Sequence, residues 1–253
     1  MEEPLAMAYK HKEARNGQSS SRRTQAMQFD NRAVVVTGGA GALGSAVVET
    51  LLQAGAHCYV PVRSGTVRPP QGDCVTFVTG CDLSSEAAVE AFYSRIPDLW
   101  ASIHVAGGFA MSKLTETSKA DFDRMLDTNL ACCFLCCRAA ARRFGAAGGR
   151  IVNVAARPAL EPWLGAGMAA YTVSKAGVAA LTAALAAELA ERRILVNAVA
   201  PSTIDTPGNR AAMPKADHTS WVAPQAIART IAFLASPDNM ATSGAVLPVY
   251  GRA

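Results

Sequence analysis

Residues 33–44 read Ala-Val-Val-Val-Thr-Gly-Gly-Ala-Gly-Ala-Leu-Gly, and this stretch decides the fold class. Its first five residues are a short, continuous run rich in β-branched side chains, which is typical of a parallel strand buried on both faces. Glycines follow at once, and apolar residues with helical spacing continue from 45 to 54. A strand, a glycine-rich turn and a helix in this order predict the first unit of an α/β fold.

The same alternation of strand and helix patterns continues to the end of the chain. Strands are predicted at 33–37, 57–62, 75–79, 102–106, 150–154, 195–200 and 245–249, and helices at 45–54, 86–96, 122–144, 169–191 and 226–235. Alternating strands and helices with short links are typical of a parallel sheet covered by helices on both faces. We therefore predict a single domain over 29–253, with a doubly wound, Rossmann-type parallel sheet of about seven strands.

The composition excludes several classes of protein. The 253 residues are 50% hydrophobic and 17% charged, which is too apolar for a disordered chain. No uninterrupted apolar run reaches the ~20 residues of a membrane helix, so we expect no membrane association. Residues 1–28 are polar and hold five basic residues of a chain whose net charge is +4, and we interpret them as a flexible leader. The other basic residues are scattered, so no nucleic-acid partner is expected.

The glycine turn has the spacing of a dinucleotide-binding loop. Gly39, Gly41 and Gly44 match the G-x-G-x-x-G pattern between a strand and a helix. Glycine permits the tight turn, the close approach of backbone amides to a pyrophosphate, and the packing of the helix on its strand. The turn therefore predicts a nicotinamide dinucleotide as cofactor. The expected contacts in this turn are Thr37, Gly38, Gly39, Gly41, Ala42, Leu43 and Gly44.

The end of the second strand indicates which dinucleotide is bound. A site that prefers NAD(H) places a carboxylate there, which binds the ribose hydroxyls. This chain has Arg63 and no acid at that position. A guanidinium can bind the 2′-phosphate of NADP(H) through two donors. We therefore favour NADP(H), and NAD(H) stays open because Arg63 could also be a solvated turn residue.

Tyr171 and Lys175 are a candidate catalytic pair. They are four residues apart at the start of a predicted helix, so they lie on one helix face. A free phenol has a pKa of about 10, and a neighbouring ammonium together with an oxidised nicotinamide ring would lower it. The pair can then transfer a proton while hydride moves between cofactor and substrate.

Together these motifs resemble the short-chain dehydrogenase/reductase family over residues 30–253. The matching stretches are VVVTGGAGALG (34–44), CDL (81–83), VAGG (105–108), DTNL (127–130), YTVSK (171–175) and ILVNAVAP (194–201). The resemblance implies that Tyr171 donates the proton, that Lys175 assists it and binds the ribose, and that Asn129 holds a water on the proton path. It also implies further cofactor contacts from Asp82, Leu83, Ala106, Gly107, Gly108, Pro201, Ile204 and Thr206.

One departure from the family pattern bears on the chemistry. After the fifth strand the family reads N-x-S-S and supplies a catalytic serine, whereas this chain reads Asn153-Val154-Ala155-Ala156. No serine or threonine lies between Asn153 and Tyr171. A donor of this kind typically contributes about 10²–10³ in rate. A simple ketone is therefore an unfavourable substrate.

The dihydropteridine-reductase branch of the family is similar at several of these positions and also lacks the serine. The similar stretches are GGAGALGS (38–45), VAGGFA (105–110), GMAAYTVSK (167–175) and the loop 205–221. A quinonoid dihydropterin takes up hydride and a proton at a conjugated imine without forming an alkoxide, so Tyr171 alone could suffice. The resemblance implies an oxidoreductase acting on a small conjugated carbonyl or imine, and Arg63 favours NADPH as its cofactor, although this branch generally carries an acid at that strand end. The alternative is a cofactor-binding scaffold or redox sensor with little catalysis.

Other side chains have simpler interpretations. Four of the seven cysteines lie in one predicted helix, at Cys132, Cys133, Cys136 and Cys137. On a helix they form one apolar stripe and no second ligand pair follows, so we interpret them as core packing or a subunit contact and predict no metal site. His57 and His104 are expected to be hydrogen-bonded core residues. Residues that could line a substrate pocket, or pack elsewhere, are Phe109, Met111, Trp163, Met213 and Trp221.

Location and assembly are also predicted. An odd number of cysteines without a secretory signal indicates a reducing, cytoplasmic setting. The helices predicted at 122–144 and 169–191 carry small residues on more than one face. Such faces permit close contact between helices, and the resemblance implies that a homodimer or homotetramer forms through them.

Overall fold

The computed structural model describes residues 28–63 and 73–252, so the predicted leader lies, apart from Gln28, outside the described residues. The strands are β1 (Ala33–Thr37), β2 (His57–Val62), β3 (Val75–Thr79), β4 (Leu99–His104), β5 (Gly149–Val154), β6 (Ile194–Pro201) and β7 (Val246–Val249). They form one parallel sheet in the order β3-β2-β1-β4-β5-β6-β7. The predicted doubly wound α/β fold is confirmed.

Helices cover both faces of this sheet. The α-helices of the described chain are α1 (Ala42–Gln53), α2 (Glu86–Tyr93), α3 (Lys119–Met125), α4 (Cys132–Arg143), α5 (Arg157–Leu160), α6 (Ala169–Glu188), α7 (Pro207–Ala212) and α8 (Pro224–Ala235). Helices α1 and α8 pack on one face, and α2, α4 and α6 pack on the other. In β1, Val34 and Val36 belong to the first core and Val35 to the second. Because both faces are buried, the first four positions of this strand are apolar, and only its last residue, Thr37, is polar.

The predicted elements are found within three residues of their expected bounds. The largest shift in a strand is that of β4, which starts at Leu99 and ends at His104 instead of covering 102–106. Its last pair joins His104 to Thr37. The next free amide, that of Ala106, is bound by Thr37 Oγ1 at 3.2 Å. The strand therefore ends where a side chain replaces the neighbouring backbone as hydrogen-bond partner.

The prediction of one uninterrupted helix over 122–144 is wrong in its middle. A π-helical segment, Leu126–Ala131, separates α3 from α4. It carries Asn129, whose side chain hydrogen-bonds to residues of two other elements. Such segments widen the helix by one residue per turn and are frequent at functional sites. No helical periodicity predicts this one, because it depends on bonds to distant residues.

The side chains expected in the core are mostly found there. The four clustered cysteines are all buried, and Cys133, Cys136 and Cys137 pack in the core beneath α4. His104 is also buried and hydrogen-bonded, as expected. His57 is not a core residue, because it is half-exposed on β2 next to the edge strand. Its ring stacks on Tyr59 and bonds to Thr76 Oγ1 at 3.0 Å.

Among the described residues, α6 is the helix long and apolar enough to span a membrane by length and composition. It packs against β5 and β6 and carries both Tyr171 and Lys175. This position is that of a core helix in an α/β fold, and a third of its apolar stretch is buried in the chain.

Candidate active site

The predicted site residues meet at the carboxyl edge of the sheet. In parallel α/β sheets this is the edge at which ligands bind. Thr37 ends β1 and the residues up to Gly44 follow it, Arg63 follows β2, and Asp82 and Leu83 follow β3. The segment after β4 adds Ala106, Gly107 and Gly108, the helices add Asn129, Tyr171 and Lys175, and the end of β6 adds Pro201, Ile204 and Thr206.

The glycine turn forms a cradle that side chains would fill. Gly38 has a φ of +67°, and a Cβ there would lie 2.8 Å from the amide nitrogen of Ala106. A Cβ at Gly44 would lie 2.0 Å from the carbonyl oxygen of Gly38. Gly41 is the N-cap of the twelve-residue helix α1 and offers no side chain to the first-turn amides. Those amides stay available to an anion, so the cradle fits a dinucleotide pyrophosphate.

Arg63 lies at the end of β2 with its side chain exposed, next to residues 64–72, which lie outside the described chain. Its carbonyl accepts a hydrogen bond from the Gly80 amide at 3.0 Å. Asp82 follows the neighbouring strand and accepts from the amide and hydroxyl of Ser84 at 3.0 and 2.9 Å. These two bonds lower the pKa of Asp82, and the charge of Arg63 adds a smaller effect. Asp82, the acid at the end of the strand next to β2, is therefore already hydrogen-bonded to Ser84.

Lys175 is buried beside Tyr171 on α6. Its Nζ donates to the carbonyl oxygen of Val154 at 2.8 Å. Burial lowers the pKa of Lys175 to about 8, and the charge of Cys133 opposes this. Burial raises the pKa of Tyr171 to about 12. The expected lowering of the phenol pKa by the ammonium is therefore not produced by the described residues, since desolvation dominates.

Asn129 joins the segment after β4 to helix α6. Its Oδ1 accepts from the Gly108 amide at 2.9 Å, and its Nδ2 donates to the Gly108 carbonyl at 3.1 Å. The same Nδ2 lies 3.0 Å from Ser174 Oγ, which donates to the Tyr171 carbonyl at 2.7 Å. A Cβ at Gly107 would lie 2.6 Å from Asn129 Oδ1 and 3.3 Å from Lys175 Nζ. The Asn129 side chain thus holds these segments together.

The position of the missing serine is lined by alanine. Ala155 packs into the core beneath the sheet, and Ala156 caps the short helix α5 at the site edge. Arg157 pairs with Glu161 at 3.1 Å and lies over the ring of Tyr250. No residue from 154 to 170 carries a hydroxyl. This segment therefore supplies no hydroxyl donor to a carbonyl oxygen.

The Tyr171 phenol contacts one exposed aromatic ring, and two more exposed apolar residues lie in the segments after β4 and β5. The ring of Phe109 meets the phenol edge-on, with centroids 5.0 Å apart. Phe109, Met111 and Trp163 are mostly exposed, as in an open substrate surface. A cavity of about 160 Å³ lies next to it, lined in part by Met111 and Met168.

The loop after β6 closes the other side of the site. Ile204 pairs with Val222, and Thr206 caps α7 by accepting from the Asn209 amide at 3.1 Å. Trp221 stacks against His218, with ring centroids 4.3 Å apart. These contacts give the loop a defined shape.

Two contributors were missed by sequence reasoning. Ser174 positions Asn129, and the carbonyl of Val154 binds Lys175. Ser174 lies inside the quoted YTVSK stretch, so its polarity next to Lys175 was an available signal. The Val154 carbonyl has no signal in the sequence, because any residue type provides one.

Comparisons with known proteins agree with this geometry. Residues 32–217 match the family described as short chain dehydrogenase. The chain is 32% identical over 247 residues to the hydroxy(phenyl)methylsuccinyl-CoA dehydrogenase subunit BbsD of Thauera aromatica, covering 89% of this chain and 97% of that one. It is 32% identical over 255 residues to galactitol 2-dehydrogenase of Rhizobium johnstonii, covering 89% and 96%. A solved short chain dehydrogenase/reductase family protein superposes with a TM-score of 0.81 at 27% identity, covering 88% and 97%.

Proposed function

Because the chain belongs to the short chain dehydrogenase family, we propose that it is an NADPH-dependent reductase of a small conjugated carbonyl or imine, with a quinonoid dihydropterin as leading candidate. The family makes it an oxidoreductase that uses NAD(P). The proposal of NADPH and a conjugated substrate rests on the grouping of Tyr171, Lys175 and Asn129 next to a glycine cradle, with alanine in place of a serine.

The proposed proton transfer starts at Tyr171 Oη. When bound in the cradle, a nicotinamide dinucleotide supplies hydride. Burial holds the pKa of Tyr171 at about 12, so the phenol is protonated and ready to donate at neutral pH. Lys175, whose pKa is about 8, stays charged there and stabilises the phenolate that remains. The substrate gains one hydride and one proton, and solvent restores the proton of Tyr171.

The absence of a hydroxyl donor favours a conjugated substrate. Reduction of a ketone places negative charge on one oxygen, which a serine normally binds. A conjugated imine takes the proton at nitrogen, and its ring delocalises the negative charge that the hydride brings. The apolar surface of Phe109, Met111 and Trp163 also suits a flat ring.

The preference for NADPH rests on Arg63. Its exposed guanidinium stands at the end of β2, where a 2′-phosphate would lie. Asp82, at the end of the neighbouring strand, has a carboxylate, and one of its oxygens already accepts hydrogen bonds from Ser84. A charged guanidinium therefore favours the phosphate-bearing cofactor.

We also propose that the chain forms a homodimer or homotetramer through α6. The outward face of this helix carries exposed apolar residues and no charge from Ala169 to Ala187, at Ala169, Val173, Ala180, Ala184 and Ala187. A second copy of the same helix would cover this face, and small side chains permit close approach. All seven cysteines are free thiols, which suits the cytoplasmic location that we retain as part of the proposal.

The test measures oxidation of NADPH and of NADH by the full chain with quinonoid dihydropterin, next to a panel of ketones and quinones. We expect turnover of the pterin, with NADPH preferred. Turnover of a simple ketone instead would keep the enzyme class and contradict the substrate proposal. If both cofactors bind and nothing is reduced, the scaffold or redox-sensor alternative replaces the proposed function.

A further inference from the structure

A buried group of metal-binding side chains lies behind the active site, between β4 and α4. It consists of His104, Cys133 and Cys137, whose imidazole nitrogen and two sulfur atoms all lie within 4.8 Å of one another. The two cysteines are one helical turn apart on α4, and His104 is the last residue of β4. All three are less than a tenth exposed. The proposed reduction makes no use of them.

Asn153 on β5 places an amide oxygen beside these three atoms. Its Oδ1 lies 2.8 Å from His104 Nδ1, 3.3 Å from Cys133 Sγ and 3.5 Å from Cys137 Sγ. Cys137 Sγ lies 3.4 Å from His104 Nδ1. In a tetrahedral zinc site, bonds of ~2.3 Å to sulfur and ~2.0 Å to nitrogen separate those ligand atoms by ~3.5 Å. Three of these four separations are close to that value, and the fourth, between His104 and Asn153, has to lengthen.

The surrounding hydrogen bonds hold the ligands in place. Asn153 Nδ2 donates to Thr182 Oγ1 at 2.9 Å, which directs Oδ1 towards the cysteines. The other imidazole nitrogen, His104 Nε2, lies 2.8 Å from Ser102 Oγ. Without metal, Nδ1 of His104 carries the proton, because Asn153 Oδ1 can only accept. With metal on Nδ1, the proton moves to Nε2 and is donated to Ser102, as in histidine ligands of known zinc sites.

We propose that this group, completed by Asn153 Oδ1, is a structural zinc site. Binding of Zn²⁺ breaks two S–H bonds, forms two Zn–S bonds and releases two protons. Two thiolates neutralise the charge of the ion, which a dry interior requires. The site replaces our interpretation of these two cysteines as packing residues only, and it does not depend on the proposed function.

The first experiment measures metal content. The full chain, without a metal-binding tag, is produced in zinc-supplemented medium, and zinc per chain is determined after dialysis. Because the site is closed, a second sample is unfolded without metal and refolded with Co²⁺. We expect one zinc per chain, and for Co²⁺ the thiolate charge-transfer and tetrahedral d–d absorption bands. Zinc content equal to that of the Cys133→Ser/Cys137→Ser double variant overturns the proposal.

Cys136 provides a matched control. It lies on the same helix, is equally buried, and belongs to the same core as Cys133, but it is not one of the clustered ligands. We expect Cys136→Ala to keep its zinc, whereas His104→Gln loses it. Loss of zinc in Cys136→Ala to the same extent would contradict the assigned ligand set.

X-ray absorption on the unmodified protein does not depend on any variant folding. We expect two sulfur ligands and two nitrogen or oxygen ligands around zinc. A shell of nitrogen and oxygen alone would identify adventitious surface zinc and overturn the proposal.

Discussion

Replacing Lys175 by methionine should make the fold more stable while removing its activity. Burial lowers the pKa of Lys175 from 10.5 to about 8. At ~1.36 kcal/mol per pH unit, keeping this ammonium charged inside the protein at neutral pH costs about 3 kcal/mol. Methionine has a similar length and no charge, so Lys175→Met removes this cost. It also removes the hydrogen bond to Val154, which opposes the gain by about 1 kcal/mol.

The expected difference in unfolding free energy between Lys175→Met and the wild type changes sign with pH. Between about pH 8 and 10.5 the folded chain has a neutral Lys175 and the unfolded chain a charged one. The unfolded state then binds more protons, so stability of the wild type rises through this window. We expect Lys175→Met to be more stable by about 2 kcal/mol at neutral pH, and less stable than wild type above pH 10.5, where only the lost hydrogen bond remains.

Urea denaturation of both proteins at neutral pH and above pH 10.5 measures this difference, with turnover assayed in parallel. Lys215→Met is the control, because Lys215 is exposed and its removal should leave stability nearly unchanged at both pH values. A Lys175→Met protein that is less stable at neutral pH, by an amount independent of pH, would refute the reasoning that burial of this charge is costly.

Three further predictions concern the proposed reaction. The rate of reduction should fall above about pH 8, because Lys175 then loses the charge that stabilises the phenolate; a pH–rate profile that stays level to pH 10.5 would contradict this. Arg63→Ala should raise KM for NADPH by about 10- to 100-fold and leave KM for NADH within about twofold, as steady-state kinetics with both cofactors can measure. Ala156→Ser should raise ketone turnover by about tenfold or more, whereas Ala155→Ser, which buries a hydroxyl in the core, should only lower stability; equal ketone rates in both variants would show that the missing serine is not limiting.

The fold was predictable because its signals are local. The valine run of β1 and the glycines after it mark a strand buried on both faces and the turn that leaves it. The spacing of Tyr171 and Lys175 likewise fixes their common helix face. Such features are encoded within a few neighbouring residues, so periodicity and residue type were sufficient.

The features that the sequence did not predict depend on distant contacts. The π-helical segment forms around Asn129, whose amide bonds to Gly108, 21 residues away. His104 approaches Cys137 although 33 residues separate them. Packing also sets the partner of Lys175, whose Nζ bonds to the Val154 carbonyl. It sets the pKa of Tyr171 as well, because burial raises this pKa, whereas the neighbouring charge alone predicted a decrease.

Tyr171→Phe tests whether Tyr171 donates the proton in an NADPH-dependent reduction. Burial of the phenol without a hydrogen-bond partner for its hydroxyl among the described residues suggests that the ring alone maintains the packing against Phe109. We expect the variant to bind NADPH with nearly unchanged affinity and to reduce quinonoid dihydropterin at least about 100-fold more slowly than wild type. Reduction by Tyr171→Phe at the wild-type rate would contradict this expectation.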